Sequence, residues 1–238
     1  MAKATKKPSR EEIVEALMQL AAERPWDDIE INDVAEAAGI SLSEFREAFP
    51  SKGAVLGSFA RMIDLKVLEG SSDDLVGEPA RERLFDVYMR YIDALTPYKA
   101  SLRRIATVVR TEPLTLAALN QVALNSHRFL LAAAGIPTED GLGPIKLQGS
   151  VITLARTLET WFEDEDPQLA KTMARLDREL NNAERFMQRA EDLRRVTAPF
   201  RAIGQALLDG RSRMRRRSKR DEPPEDMSGE TQDPAAAI

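Results

Sequence analysis

Side chains able to do covalent or acid–base chemistry are sparse in this 238-residue chain. There is no cysteine and a single histidine, His127, which excludes thiolate nucleophiles, disulfides, cysteine metal sites and paired imidazole ligands. No glycine-rich phosphate loop occurs. The run Glu163, Asp164, Glu165, Asp166 offers hard oxygen ligands, yet neighbours within one turn cannot converge on one ion, so it reads as a solvated loop. The chain is therefore read as no enzyme, with no catalytic residue, no metal and no cofactor. What remains is hydroxyls and cations at fixed spacing. Ser41, Ser43, Arg46 and Lys52 fall in or beside AGISLSEFREAFPSK at 38–52, with Lys3, Lys6, Lys7 and Arg10 near the start. Such groups donate hydrogen bonds and offset negative charge, which is the chemistry of a polyanion contact. The same stretch is nonetheless acidic: residues 25–52 hold seven acids (Asp27, Asp28, Glu30, Asp33, Glu36, Glu44, Glu47) against Arg46 and Lys52.

The elements that must position these groups are helices. Apolar residues recur with helical period from residue 9 to about 209 and never alternate for long, so the chain is all-α. Ser9 and Glu12 make a capping box ahead of the stripe Ile13, Ala16, Leu17, Leu20 and Ala21, and Arg24-Pro25 stops that helix. A short helix over 31–37 follows, Gly39 makes the turn, and Ser41 with Glu44 caps a third helix that ends before Pro50. Val34, Ala35, Gly39, Ile40, Phe45 and Phe49 form the small core of this pair. Ser51 caps a fourth helix that buries Val55, Phe59, Met62, Ile63 and Val67 and ends at Gly70. The loop at 70–79 separates an N-terminal unit, 9–69, from a helical body, 79–209. In that body helices are expected near 79–95, 98–110, 113–134, 144–163, 167–190 (capped by Asp166) and 191–209, the last kinked at Pro199. Residues 1–8 read as a disordered basic arm and 210–238 as a disordered tail, first basic and then acidic.

A helix, a short helix, the turn Ala38-Gly39-Ile40, a third helix and Phe49-Pro50-Ser51-Lys52 together resemble the N-terminal domain of TetR-family repressors over residues 9 to 68. The resemblance implies that the third helix enters the major groove of a double-stranded operator, with Ser41, Ser43 and Arg46 at the DNA and Lys52 at a phosphate. It also implies two-fold dimers formed through the C-terminal helices, for which 144–190 is the expected interface. The aromatic and basic groups usual in that family just before the closing motif are here Arg46, Glu47 and Ala48. The basic arm with Lys6 and Lys7 is placed to supply further phosphate contacts.

A second resemblance lies at the other end. WFEDEDPQLAKTMARLDREL, 161–180, is similar to the C-terminal region of the TetR-fold lipid-binding protein of ubiquinone biosynthesis, carried by Trp161, Asp166-Pro167, Thr172-Met173 and Leu176-Asp177-Arg178. That resemblance implies an amphipathic end lying on a membrane, here Val196, Phe200, Ile203 and Leu207 followed by seven bases in 211–220, so peripheral membrane contact through 196–220 stays open.

Two functions fit these resemblances. The first is a TetR-type transcriptional regulator, a cytoplasmic homodimeric repressor controlled by a hydrophobic small-molecule effector among helices four to eight. The second is a lipid-binding accessory protein of isoprenoid-quinone biosynthesis that leaves DNA alone. For either ligand the candidate pocket residues are Phe59, Tyr88, Tyr91, His127, Phe129 and Trp161.

Overall fold

The computed structural model describes residues 9–70, 77–109, 112–190 and 192. Every regular element among them is helical. The described residues up to Met187 belong to one compact unit. The expected last helix at 191–209, the arm at 1–8 and the tail at 210–238 fall outside the described residues, Asp192 excepted.

Helix α1, Arg10–Glu23, starts on the capping box read from the sequence: the Glu12 amide donates to Ser9 Oγ at 3.2 Å and the Ser9 amide to Glu12 Oε2 at 2.6 Å. Arg24, before Pro25, is extended and ends the helix. A 3-10 turn, Trp26–Asp28, leads to α2, Ile31–Ala37, and α3, Leu42–Ala48. Helix α4, Lys52–Glu69, is capped by Ser51, whose Oγ accepts from the Ala54 amide at 3.2 Å. It is the central column of the unit, packed on α1 and also on α5, Ala80–Leu95, and α7, Pro113–Ala133. A 3-10 turn, Thr96–Tyr98, joins α5 to α6, Lys99–Val109, which lies along α1. Helix α8, Gly143–Glu163, packs on α7, and a further helix, α9, runs over 170–190.

One apolar core therefore runs from the first helices into the body, from Leu17 and Phe45 through Ile63 and Ile92 to Leu130, Trp161 and Leu176. Each such side chain contributes about 1.5–3 kcal/mol on leaving water. Polar ties pin the seams: Ser101 Oγ donates to the Met18 carbonyl at 2.7 Å between α6 and α1, and the Tyr98 hydroxyl donates to Glu15.

One helix start differs from the sequence expectation. After α8 the chain turns at Pro167-Gln168, Leu169 takes a left-handed backbone with φ of 53°, and α9 begins at 170 instead of 167. Asp164 rather than Asp166 holds this corner. Buried to 1% exposure, it accepts from both the Thr172 amide (2.9 Å) and the Thr172 hydroxyl (2.7 Å), while Asp166 accepts from the Gln168 amide of the turn (2.9 Å) and, at 3.4 Å, from the Ala170 amide that opens α9. Those bonds to Thr172 hold the Asp164 carboxyl below its usual range. The acidic run is thus only partly a solvated loop.

Candidate nucleic-acid interface and interior polar cluster

Helices α2 and α3 are held crossed by the turn between them. Gly39 sits at φ +67° with open space around its Cα, and the Ile40 amide donates to the Ala35 carbonyl at 2.9 Å. Val34, Ala35, Phe45 and Phe49 are buried as expected and Ile40 is half-buried. Phe45 and Phe49 stack tilted at 6.2 Å, which fixes the inner face of α3.

The outer face of α3 carries Ser43, Arg46 and Glu47, all exposed. Glu44 is turned back into its own helix start: its Oε2 accepts from the Ser41 amide at 2.9 Å and the Ser41 hydroxyl at 2.8 Å. Ser43 Oγ lies 2.9 Å from Ser41 Oγ and extends that chain. One of the two acids of α3 is therefore a structural cap whose charge meets the positive helix end. Arg46 reaches along α3 and donates to the Pro50 carbonyl at 3.0 Å, from an exposed position.

Two cations of the sequence reading serve as internal props. Lys52 Nζ donates to the carbonyls of Trp26 (2.6 Å) and Ile29 (2.7 Å) and lies 4.2 Å from the Trp26 ring centroid. Two of its three N–H donors are thereby used, and burial pushes its pKa below the ordinary lysine value. Arg10 donates to the Ala48 carbonyl at 2.7 Å and covers the Phe49 ring at 4.6 Å, placing a cation at the C-terminal end of α3. Lys6 and Lys7 lie outside the described residues.

The body holds a second assembly, polar and buried. Tyr88 of α5 is fully buried, its hydroxyl 3.1 Å from His127 Nδ1 of α7 and 3.3 Å from the Ser150 carbonyl of α8, to which it donates. The hydroxyl proton so used assigns the imidazole proton to Nδ1. Burial pushes His127 down to about 3, so it is neutral. One residue earlier, Ser126 Oγ donates to Asp64 Oδ2 of α4 at 2.8 Å. Asp64 is only 8% exposed, and its other oxygen, Oδ1, is buried without a hydrogen-bond partner. Burial raises its pKa above the usual carboxylate value; burial, and after it the Asp64 charge, likewise raises that of Tyr91.

Of the six pocket residues expected from sequence, the structure brings Tyr88 and His127 to this place, and Tyr91, three residues on along α5, packs against the apolar core. Phe59 instead sets its ring edge-to-face on Tyr98 at 4.9 Å. Trp161 is buried between Phe162 and Lys99, about 16 Å along α8 from Ser150 at helical rise. Phe129 points outward at 57% exposure. Sequence reasoning did not single out Asp64 or Ser126. The available signal was that Asp64 follows Ala60 by four and precedes Val67 by three, inside the buried stripe of α4.

No described helix is long and apolar enough to cross a membrane. No family model and no curated relative matches the sequence. Solved structures do match. A TetR transcriptional regulator from Nitrosomonas europaea is 21% identical, with a TM-score of 0.59 over 74% of this chain and 97% of that one. One from a Rhodococcus species is 17% identical, with a TM-score of 0.56 over 73% and 94%. A TetR-family regulator from Streptomyces coelicolor is 18% identical, with a TM-score of 0.50 over 84% and 99%. From the capped third helix to the helical body behind it, this chain is built on the fold of the TetR transcriptional regulators.

Proposed function

We propose that the chain is a TetR-type transcriptional regulator, a cytoplasmic homodimer that represses by binding a double-stranded operator through α3 and yields to an effector held in its helical body. The observation that carries this reading is α3 itself. One face is locked into the core by Phe45 and Phe49, and the other presents Ser43 and Arg46 to solvent on a capped helix, the geometry a major-groove reader needs. The acidity of 25–52 weighs less once Glu44 is committed to its cap. Lys52 keeps one N–H donor for a phosphate.

Capture of sheared genomic DNA by the full chain at about 100 mM salt, repeated at rising salt, tests the reading. The expected result is enrichment of a few palindromic sites, with a log–log salt slope of about 0.9 per phosphate contacted. Enrichment no greater than that of a control protein would overturn it.

A further inference from the structure

The buried carboxylate of Asp64 is not explained by packing. It stands on the core side of α4 between Ile63 and Val67, accepts a single hydrogen bond from Ser126, and leaves Oδ1 buried without a partner. Among the described residues it has no ion pair. Buried carboxylates are normally paired or fully hydrogen-bonded, because an isolated one forfeits its hydration with nothing in return. What would satisfy this one is a group that donates a hydrogen bond to Oδ1 and carries positive charge. The surroundings define the rest of such a ligand: next to Ser126 on α7, His127 packs edge-to-face with Tyr88 of α5 and lies 3.1 Å from its hydroxyl. The buried apolar side chains that flank Asp64 on α4, Ile63 and Val67, favour a hydrocarbon body.

We propose that Asp64, with Ser126, is the recognition point for a lipophilic organic cation, a protonated amine carrying an apolar chain or ring system. An anionic amphiphile such as a fatty acid is excluded by charge. A neutral alcohol offers the hydrogen bond without the charge and binds more weakly. The proposal deepens the effector part of the regulator reading and rests on that reading for its consequence: Asp64 belongs to α4, the helix that directly follows α3 in the chain, so a ligand charge there acts on the element that carries the reading head.

Titration calorimetry on the full chain at neutral pH tests it with three probes of equal length: decylammonium, decanol and decanoate, each below its micellar concentration. Decylammonium is expected to bind about tenfold or more tighter than decanol, with decanoate weakest. Asp64→Asn keeps the side-chain volume and an oxygen for Ser126 and should erase the preference while melting no lower than the wild type. Equal binding of the three probes, no binding of any, or a preference that survives in Asp64→Asn would overturn the proposal. The probe ranking needs no DNA: if it holds while genomic capture fails, the cation site stands and the regulator reading falls, and the reverse pair of results removes the site alone.

Discussion

Arg46 is the exposed cation of α3, and its present bond to the Pro50 carbonyl is one that a base edge or phosphate can replace at small cost, since both partners are solvated. Arg46→Ala is expected to weaken binding to the captured operator by about 1 to 3 kcal/mol, read by fluorescence anisotropy. Unchanged affinity would remove Arg46 from the interface. The interior gives a second prediction at this scale. His127 titrates near 6.5 when unfolded and near 3 when folded, so between those values the unfolded chain holds more protons. The stability it contributes is present above about 6.5 and is lost as pH falls toward 3, about 1 kcal/mol of it between pH 7 and 5.5. Asp64, with its pKa raised, works with the opposite sign, adding stability as pH falls. The comparison is therefore between the wild type and His127→Gln: urea midpoints should fall with acid in the first and fall less in the second, and parallel curves would reject the assignment.

At the scale of elements, the crossing of α2 and α3 depends on the backbone of Gly39 and not on space beside it, because a Cβ there would meet nothing within 4 Å. The cost of substitution is then conformational. Gly39→Asn, which tolerates the left-handed region, should cost well under the roughly 1–2 kcal/mol expected for an ordinary residue, and Gly39→Val should cost most. Equal losses for Asn and Val in thermal melts would contradict this. The corner between α8 and α9 depends on a side chain instead. Replacing Asp164 by Ala removes the acceptor for both the amide and hydroxyl of Thr172, and should lower the urea midpoint clearly more than replacing exposed Glu163. A midpoint for Asp164→Ala matching that of Glu163→Ala would show the corner to be held by packing alone. Helix caps were legible in sequence because they depend on residues three apart. The Asp164 tie was not, because Asp166-Pro167 offered an equally good local cap and only the left-handed Leu169 moved the helix start.

For the whole molecule, the proposed homodimer needs an apolar face, and α8 has one to offer. Ile145 and Ile152, seven residues apart, are each 43% exposed on one side of α8, and Phe186 of α9 is 58% exposed. Ile152→Arg is expected to shift the sedimentation coefficient from dimer to monomer at micromolar concentration while leaving the circular dichroism melt cooperative. A variant that stays dimeric would move the interface away from this face. Such a monomer should also lose operator affinity, since two half-sites read together bind far more tightly than one.

The sequence by itself determined the all-helical class, the capping boxes of α1 and α3, the turn at Gly39, and the residues of the small α2–α3 core. All of these follow from spacings of three or four residues and from backbone conformations only certain residues adopt. Tertiary structure decided how charged groups are used. Lys52 and Arg10 became props for carbonyls and aromatic rings from distant segments, and Glu44 became a cap. Phe129 was turned outward while Asp64 was drawn into the core beside Ser126, sixty-two positions away. A charged side chain carries no local record of its partner. Whether it meets solvent, a helix end or a buried hydroxyl is set by which helices pack together, and that packing is decided by the apolar stripes of the whole chain.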